Sequence, residues 1–269
     1  MRIARFEIDG GLVFGSERDG QFLRCEGDLF GGLNETGDRV PIGAKLLAPI
    51  SPPTIFAIGL NYRAHALEMK KPIPDHPVVT MKNPSAVLEP GGTIEIPTFL
   101  ASDSVDYECE LVIVMGRRCK NATPENAMDY VLGFTAANDV SARDWQQIYS
   151  GGQWCKGKSF DTFCPLGPVL VTTDELGNPD SLRISTFLNG LEVQSSSTSD
   201  MIFSVRDLVC FLSGSTTLEP GTVILTGTPP GVGIAQTPPR FLRPGDEVAV
   251  EIEGIGRLVN RVANEESIV

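Results

Sequence analysis

Residues 105–115 read VDYECELVIVM. From Tyr107 onward the apolar run has the character of a strand, and period-2 geometry puts Glu108, Glu110, Val112 and Val114 on one face. Two carboxylates therefore share a face with residues that favour burial. At about 3.3 Å per residue their side chains start roughly 6.5–7 Å apart, close enough to hold one ion. A buried, unpaired carboxylate costs several kcal/mol, and a second one nearby makes ionising both harder. Either the two acids form the wet face of an edge strand, or they coordinate a cation. A hard divalent ion such as Mg2+ or Mn2+ suits carboxylate oxygens and keeps several waters for a substrate to displace. The third ligand should be another acid. Asp139 fits, because GFTAAN (residues 133–138) reads as a strand running toward the pair and Asp139 closes it before the helix-like VSARDWQ.

At 269 residues the chain can bury a substantial core, as one large domain or as a large and a small one. Thirty-four acidic against 22 basic side chains give a formal charge of -12 with no basic block, which argues against a nucleic-acid or anionic-membrane surface. An anionic ligand would then need a local metal or a few local cations. The sequence holds no apolar run of about 18 residues, and its first 11 residues lack a signal-peptide layout, so the expected location is the cytoplasm or an organelle matrix. Six cysteines without C-x-x-C spacing read as reduced, mostly buried thiols.

Short apolar runs and Gly/Asp clusters over residues 1–50 predict a small N-terminal domain, with a boundary near residues 47–53 at Pro49 and Ser51-Pro52-Pro53 and a catalytic domain over 51–269. Residues 54–60 read as a buried strand leading into GLNYRAHALE. There His65 and Glu68 are three apart, so one helical turn stacks them. They form either an exposed helical pair or a dyad in which the carboxylate orients an imidazole base. His76, among prolines, reads as surface loop. Lys82 ends a strand over residues 78–82 in a polar turn and reads as cleft-facing or simply solvated. Thr123 and Pro124 predict the start of a helix.

Arg143, Asp144, Gln146, Gln153 and Lys158 concentrate around short turns, with Gly151, Gly152 and Gly157 permitting close backbone approach. They make an anion-binding wall, or Arg143 and Asp144 pair structurally. Asn189-Gly190 signals a two-residue hairpin. Ser204 and Asp207 form a capping box for a helix that Gly214 ends, and Gln194 and the neighbouring serines read as scaffold. The loop TGTPPGVG (226–233) offers backbone N–H groups to a carboxylate, with the Thr228 hydroxyl as a further donor, and lacks the Gly-Lys-Ser/Thr ending of a phosphate loop.

In this order GLNYRAHALEM, DYECELVIVMG, NDVSARDWQ, GKSFDTFCPLGP and ILTGTPPGVG resemble the fumarylacetoacetate hydrolase family over residues 54–262. DVSARDWQ and GKSFDTFCPLGPVLVT are most similar to the family's domain-containing members of the second type, linked to oxaloacetate tautomerisation. The resemblance implies a mainly β (α+β) fold: a mixed β-sandwich roll with few short helices, a small additional N-terminal domain, and usually a homodimer. It implies a Mg2+ or Mn2+ site at Glu108, Glu110 and Asp139, and a catalytic His65–Glu68 dyad on a lid segment. Lys158 takes the place of the family's catalytic lysine, while Arg143, Gln146 and Thr228 match positions that hold a small anionic 2-oxo acid. The implied activity is metal-dependent hydrolase or lyase cleavage of a C–C bond in an acylpyruvate, fumarylpyruvate or oxaloacetate-type substrate through an enolate. Oxaloacetate keto–enol tautomerisation is the alternative. A third reading, a metal-stabilised binding protein without turnover, has no need of His65 or Glu68.

Overall fold

The computed structural model of the chain describes residues 1–266. Cys109–Met115 lies inside a twelve-stranded mixed sheet, and each of its seven residues is buried. Its neighbours are Val131–Asn138 and Val223–Leu225, both antiparallel to it. Beyond them the sheet continues through the parallel strand Ile55–Gly59 to Val78–Lys82 on one side and through Cys164–Thr172 on the other. Alternation along the central strand feeds two cores. Cys109, Leu111, Ile113 and Met115 pack in one with Phe134, Ile184, Val250 and Leu208. Val112 and Val114 pack in the other with Ile55, Leu166, Leu170 and Val223. A strand buried on both faces reads as a continuous apolar run, as LVIVM does. The edge-strand reading of Glu108 and Glu110 is therefore excluded.

The fold is mainly β with few short helices, as expected. Arg2–Ile8, Gly11–Arg18, Gln21–Asp28 and Gly32–Arg39 form an antiparallel meander, which joins the large sheet through Arg2 opposite Val171 and Ile3 opposite Leu170. A five-stranded sheet runs in the order Leu191–Ser197, Arg183–Leu188, Glu247–Ile252, Gly256–Asn264, Thr93–Ile96. Its hairpin turns at Asn189 and Gly190 with φ of 51° and 79°, the two left-handed residues that a type I′ turn requires.

Ser204 caps Val205–Ser213: its hydroxyl accepts from the Asp207 N–H while Asp207 Oδ2 accepts from the Ser204 N–H. Gly214 ends that helix at φ -60°, so the left-handed residue is Ser215, at φ 57°. The helix expected from Pro124 is instead a turn followed by a single 3-10 turn, Ala127–Tyr130. The chain must rejoin the sheet at Val131, which leaves too little length for a stable helical nucleus. All six cysteines are free, and Cys25, Cys109, Cys119 and Cys164 are buried. His76 is exposed, stacked on Phe211. Among the described residues no helix is long and apolar enough to cross a membrane.

Two-sided burial makes the central strand intolerant of cavities. Ile113→Ala should cost about 2–5 kcal/mol in urea unfolding; a loss well under 1 kcal/mol would contradict the packing described.

Candidate active site

The central strand and its neighbour build the floor of a cavity of about 390 Å3, within the size range of small-molecule sites. Cys109 stands opposite Asn138 in the ladder. One residue further out, the Asp139 N–H donates to the Glu108 carbonyl at 2.8 Å, and the Glu108 N–H donates to Asn138 Oδ1 at 3.0 Å. This register brings Asp139 beside Glu108, and the period of two puts Glu110 on the same side. One oxygen from each of the three carboxylates lies within 4.8 Å of the others, and all three residues are buried.

Three cations surround them. Lys158 Nζ donates to Glu108 Oε2 at 3.0 Å, to Asp139 Oδ2 and to Ser141 Oγ. Lys82, whose side chain is wholly buried, donates to Asp139 Oδ1 and to the Val140 carbonyl. Arg143 donates through Nε to Asp106 Oδ2 at 2.8 Å and through Nη1 to Gln146 Oε1 at 3.0 Å; its Nη2 lies 2.7 Å from Glu108 Oε1 but out of line for a hydrogen bond. Burial opposes ionisation of Glu108, yet Lys158 and Arg143 overcome it and pull its pKa down to about 2. Burial also opposes the charge on Lys158, and Asp139 and Glu108 more than restore it, holding its pKa above the ordinary lysine value.

Glu110 is different. Its Oε2 accepts the Gly227 N–H at 2.7 Å, and among the described residues no cation pairs with it. Burial, then the charges of Asp139 and Glu108, push its pKa well above the usual carboxylate range. Among the described residues Glu110 is thus a buried carboxylate without a cationic partner, set beside two others that keep free lone pairs. An all-oxygen donor set of this kind fits a Mg2+- or Mn2+-type ion.

Above the floor, His65 lies on the Arg63–Glu68 helix, buried, with Nδ1 3.0 Å from Glu68 Oε2. Glu68 is itself held by the Gly231 N–H at 2.9 Å. The pair is therefore no exposed helical ornament. With Nδ1 engaged by a carboxylate, Nε2 is the ring nitrogen left for the cavity that His65 lines.

The Gly/Pro loop does bring backbone N–H groups to carboxylates, but the carboxylates are the protein's own. Gly227 holds Glu110, Gly231 holds Glu68, and Gly233 and Ile234 hold Asp106. Gly227 has φ +98°, and a Cβ there would stand 2.7 Å from Asn61 Cβ, so the turn requires glycine. Thr228 lines the cavity, yet its hydroxyl donates to the Cys109 carbonyl at 3.1 Å and accepts from Gln194 at 2.9 Å. Its one proton is committed, which corrects the expectation of a donor for the ligand.

Arg143, Gln146 and Lys158 form one wall because the helices Arg143–Gln147 and Cys155–Lys158 touch at Gly157, where a Cβ would lie 2.5 Å from the Gln146 nitrogen. Asp144 faces away, accepting from Ser102 and from the Trp145 N–H, so the Arg143–Asp144 pair considered from the sequence does not form. Gln153 is exposed and off the wall. Asp106, which anchors Arg143, was missed from the sequence, and of the two readings of Lys82 the solvated one is excluded by its burial against Asp139. The signal for Lys82 was available: it alternates with the buried Thr80 on the inward face of its strand.

Replacing the unpaired acid tests the metal reading. Glu110→Gln should lower Mn2+ affinity by at least about tenfold in calorimetric titration, and unchanged affinity would remove Glu110 from the ligand set.

The fumarylacetoacetate (FAA) hydrolase C-terminal model matches residues 54–263, and an Rv2993c-like N-terminal model matches residues 1–49. A mitochondrial oxaloacetate tautomerase of Xenopus laevis is 49% identical over 219 residues, covering 81% of this chain and 68% of that protein. Among solved structures, a fumarylacetoacetate hydrolase from psychrophilic Exiguobacterium antarcticum superposes with a TM-score of 0.90 at 37% identity, covering 98% of this chain and 100% of the other. A 5-carboxymethyl-2-hydroxymuconate delta-isomerase from Mycobacterium smegmatis gives 0.86 at 39% identity, with the same coverage.

Proposed function

The chain belongs to the fumarylacetoacetate hydrolase family and is an enzyme of it, and on that premise we propose that it acts on a small 2-oxo dicarboxylate of the oxaloacetate type, exchanging its keto and enol forms. The observation that most supports this reading is one cavity lined by both the carboxylate triad and His65, whose Nδ1 is bound to Glu68. A non-catalytic binding protein has no use for such a dyad.

Glu108, Glu110 and Asp139 would hold a divalent ion of the Mg2+ or Mn2+ type, which would supply a Lewis acid for the substrate's 2-oxo group. Lys158 and Arg143 keep positive charge beside the place where negative charge develops on that oxygen. Gln146, fixed by Arg143, orients the bound end. His65 Nε2 takes a proton from C3, and Glu68 stabilises the imidazolium that results. Return of the proton to the 2-oxygen gives the enol, with no atom gained or lost.

C–C cleavage is the second reading, and the whole-chain likeness to the Exiguobacterium hydrolase favours it. There the substrate is an acylpyruvate: the same imidazole deprotonates a water that attacks the C4 ketone, and the C3–C4 bond breaks to release the C4 acyl group as a carboxylic acid and leave the enol of pyruvate. Both readings agree with the relatives' names, and both need the same base.

His65→Asn should lower the exchange rate about 10²–10⁴-fold, the usual contribution of a general base, while Mn2+ affinity stays within twofold. An unchanged rate would show that the proton travels by another group.

A further inference from the structure

The carboxylate triad and His65 engage the reactive end of a 2-oxo acid and leave its far end unattended. The triad, Lys158 and His65 are buried at the inner end of the cavity, so a 2-oxo acid reacting there turns its C4 end toward the rim. The exposed residues of the lining are Lys71, Gln147 and Gly152. None of these is acidic, and one is a cation.

Lys71 is brought to the rim by the way the His65 helix ends. Lys70 takes the left-handed conformation at φ 53°, its N–H donates to the Leu67 carbonyl at 3.0 Å, and the Lys71 N–H donates to the Ala66 carbonyl at 2.9 Å. These two bonds are the Schellman pattern, usually built with glycine at the left-handed position. The turn returns the chain over the cavity, so Met69 and Lys71 line it while Lys70 does not. The other two cations of the lining, Arg143 and Lys158, are engaged by buried carboxylates. Lys71 forms no ion pair among the described residues. In a chain of formal charge -12, an unpaired ammonium at the cavity mouth is a local attraction for an anion that the protein as a whole repels.

We propose that Lys71 is a specificity-determining residue that receives the distal carboxylate of the substrate, so that the enzyme selects dicarboxylates over 2-oxo acids with an uncharged tail. This rests on the proposed seating of the reactive end against the triad. It divides the labour between a buried end that does chemistry and a wet end that discriminates.

The test uses unreactive ligands that differ by the distal carboxylate alone, L-malate and L-lactate, titrated calorimetrically in the presence of Mg2+ into the wild type, Lys71→Met and Lys71→Arg. The wild type should prefer malate by about fivefold, the upper end of what one solvent-screened charge contact allows. Lys71→Met should reduce the preference to under twofold, and Lys71→Arg should keep most of it. A wild type without the preference, or a preference that survives in Lys71→Met, overturns the proposal. Keto–enol exchange of oxaloacetate by the same wild-type preparation reports on the reaction separately. No exchange together with a lysine-dependent malate preference would sink the tautomerase reading and leave the role of Lys71 standing.

Discussion

Four buried carboxylates, Asp106, Glu108, Glu110 and Asp139, face three buried cations, Lys82, Arg143 and Lys158. Buried ions are tolerable only when they are paired and hydrogen-bonded, because the loss of hydration costs several kcal/mol per ion. Asp106, Glu108 and Asp139 meet that condition. Glu110 does not: no cation pairs with it among the described residues, and burial beside Asp139 and Glu108 disfavours its ionised form. The sheet therefore holds a carboxylate whose ionised form a further cation would stabilise, and the rest of the architecture keeps that carboxylate in place.

Two devices keep it in place. The central strand is packed on both faces, so its backbone, and with it the spacing of Glu108 and Glu110, cannot relax toward water. The Gly/Pro loop then turns N–H groups onto Glu110, Glu68 and Asp106 in succession, at glycines that no other residue could replace without strain. One loop thereby fixes an acid of the triad, the partner of the imidazole and the anchor of Arg143. The chemistry of the cavity and the conformation of that loop are coupled through hydrogen bonds rather than through any flexible segment.

Much of this was legible in the sequence, for identifiable reasons. Glu108, Glu110 and Asp139 could be found because strand periodicity is a local property and carboxylates on an apolar face are an anomaly. His65 and Glu68 could be found because three residues make nearly one helical turn. The exact hairpin at Asn189-Gly190 and the Ser204–Asp207 capping box follow from equally local rules. What failed depended on distant partners. Thr228 looked like a free donor because nothing near it in sequence reveals the Cys109 carbonyl that takes its proton. Lys82 stayed open between cleft and solvent because Asp139, 57 residues away, is the group that buries it. Pro124 promised a helix that the return to the sheet at Val131 does not permit. The family's motifs carried the ligand set further than spacing did, since spacing alone left an exposed acidic pair equally open.

On the proposed function this cavity moves a proton at C3 of a 2-oxo dicarboxylate. The most direct measurement is proton NMR of the purified enzyme with Mg2+ and oxaloacetate, and separately with acetylpyruvate, following keto, enol and pyruvate signals in time. The expected result is accelerated keto–enol exchange of oxaloacetate without accumulation of pyruvate. Pyruvate and acetate formed from acetylpyruvate, with oxaloacetate exchanging no faster than in buffer, would contradict it and make the enzyme a C–C hydrolase.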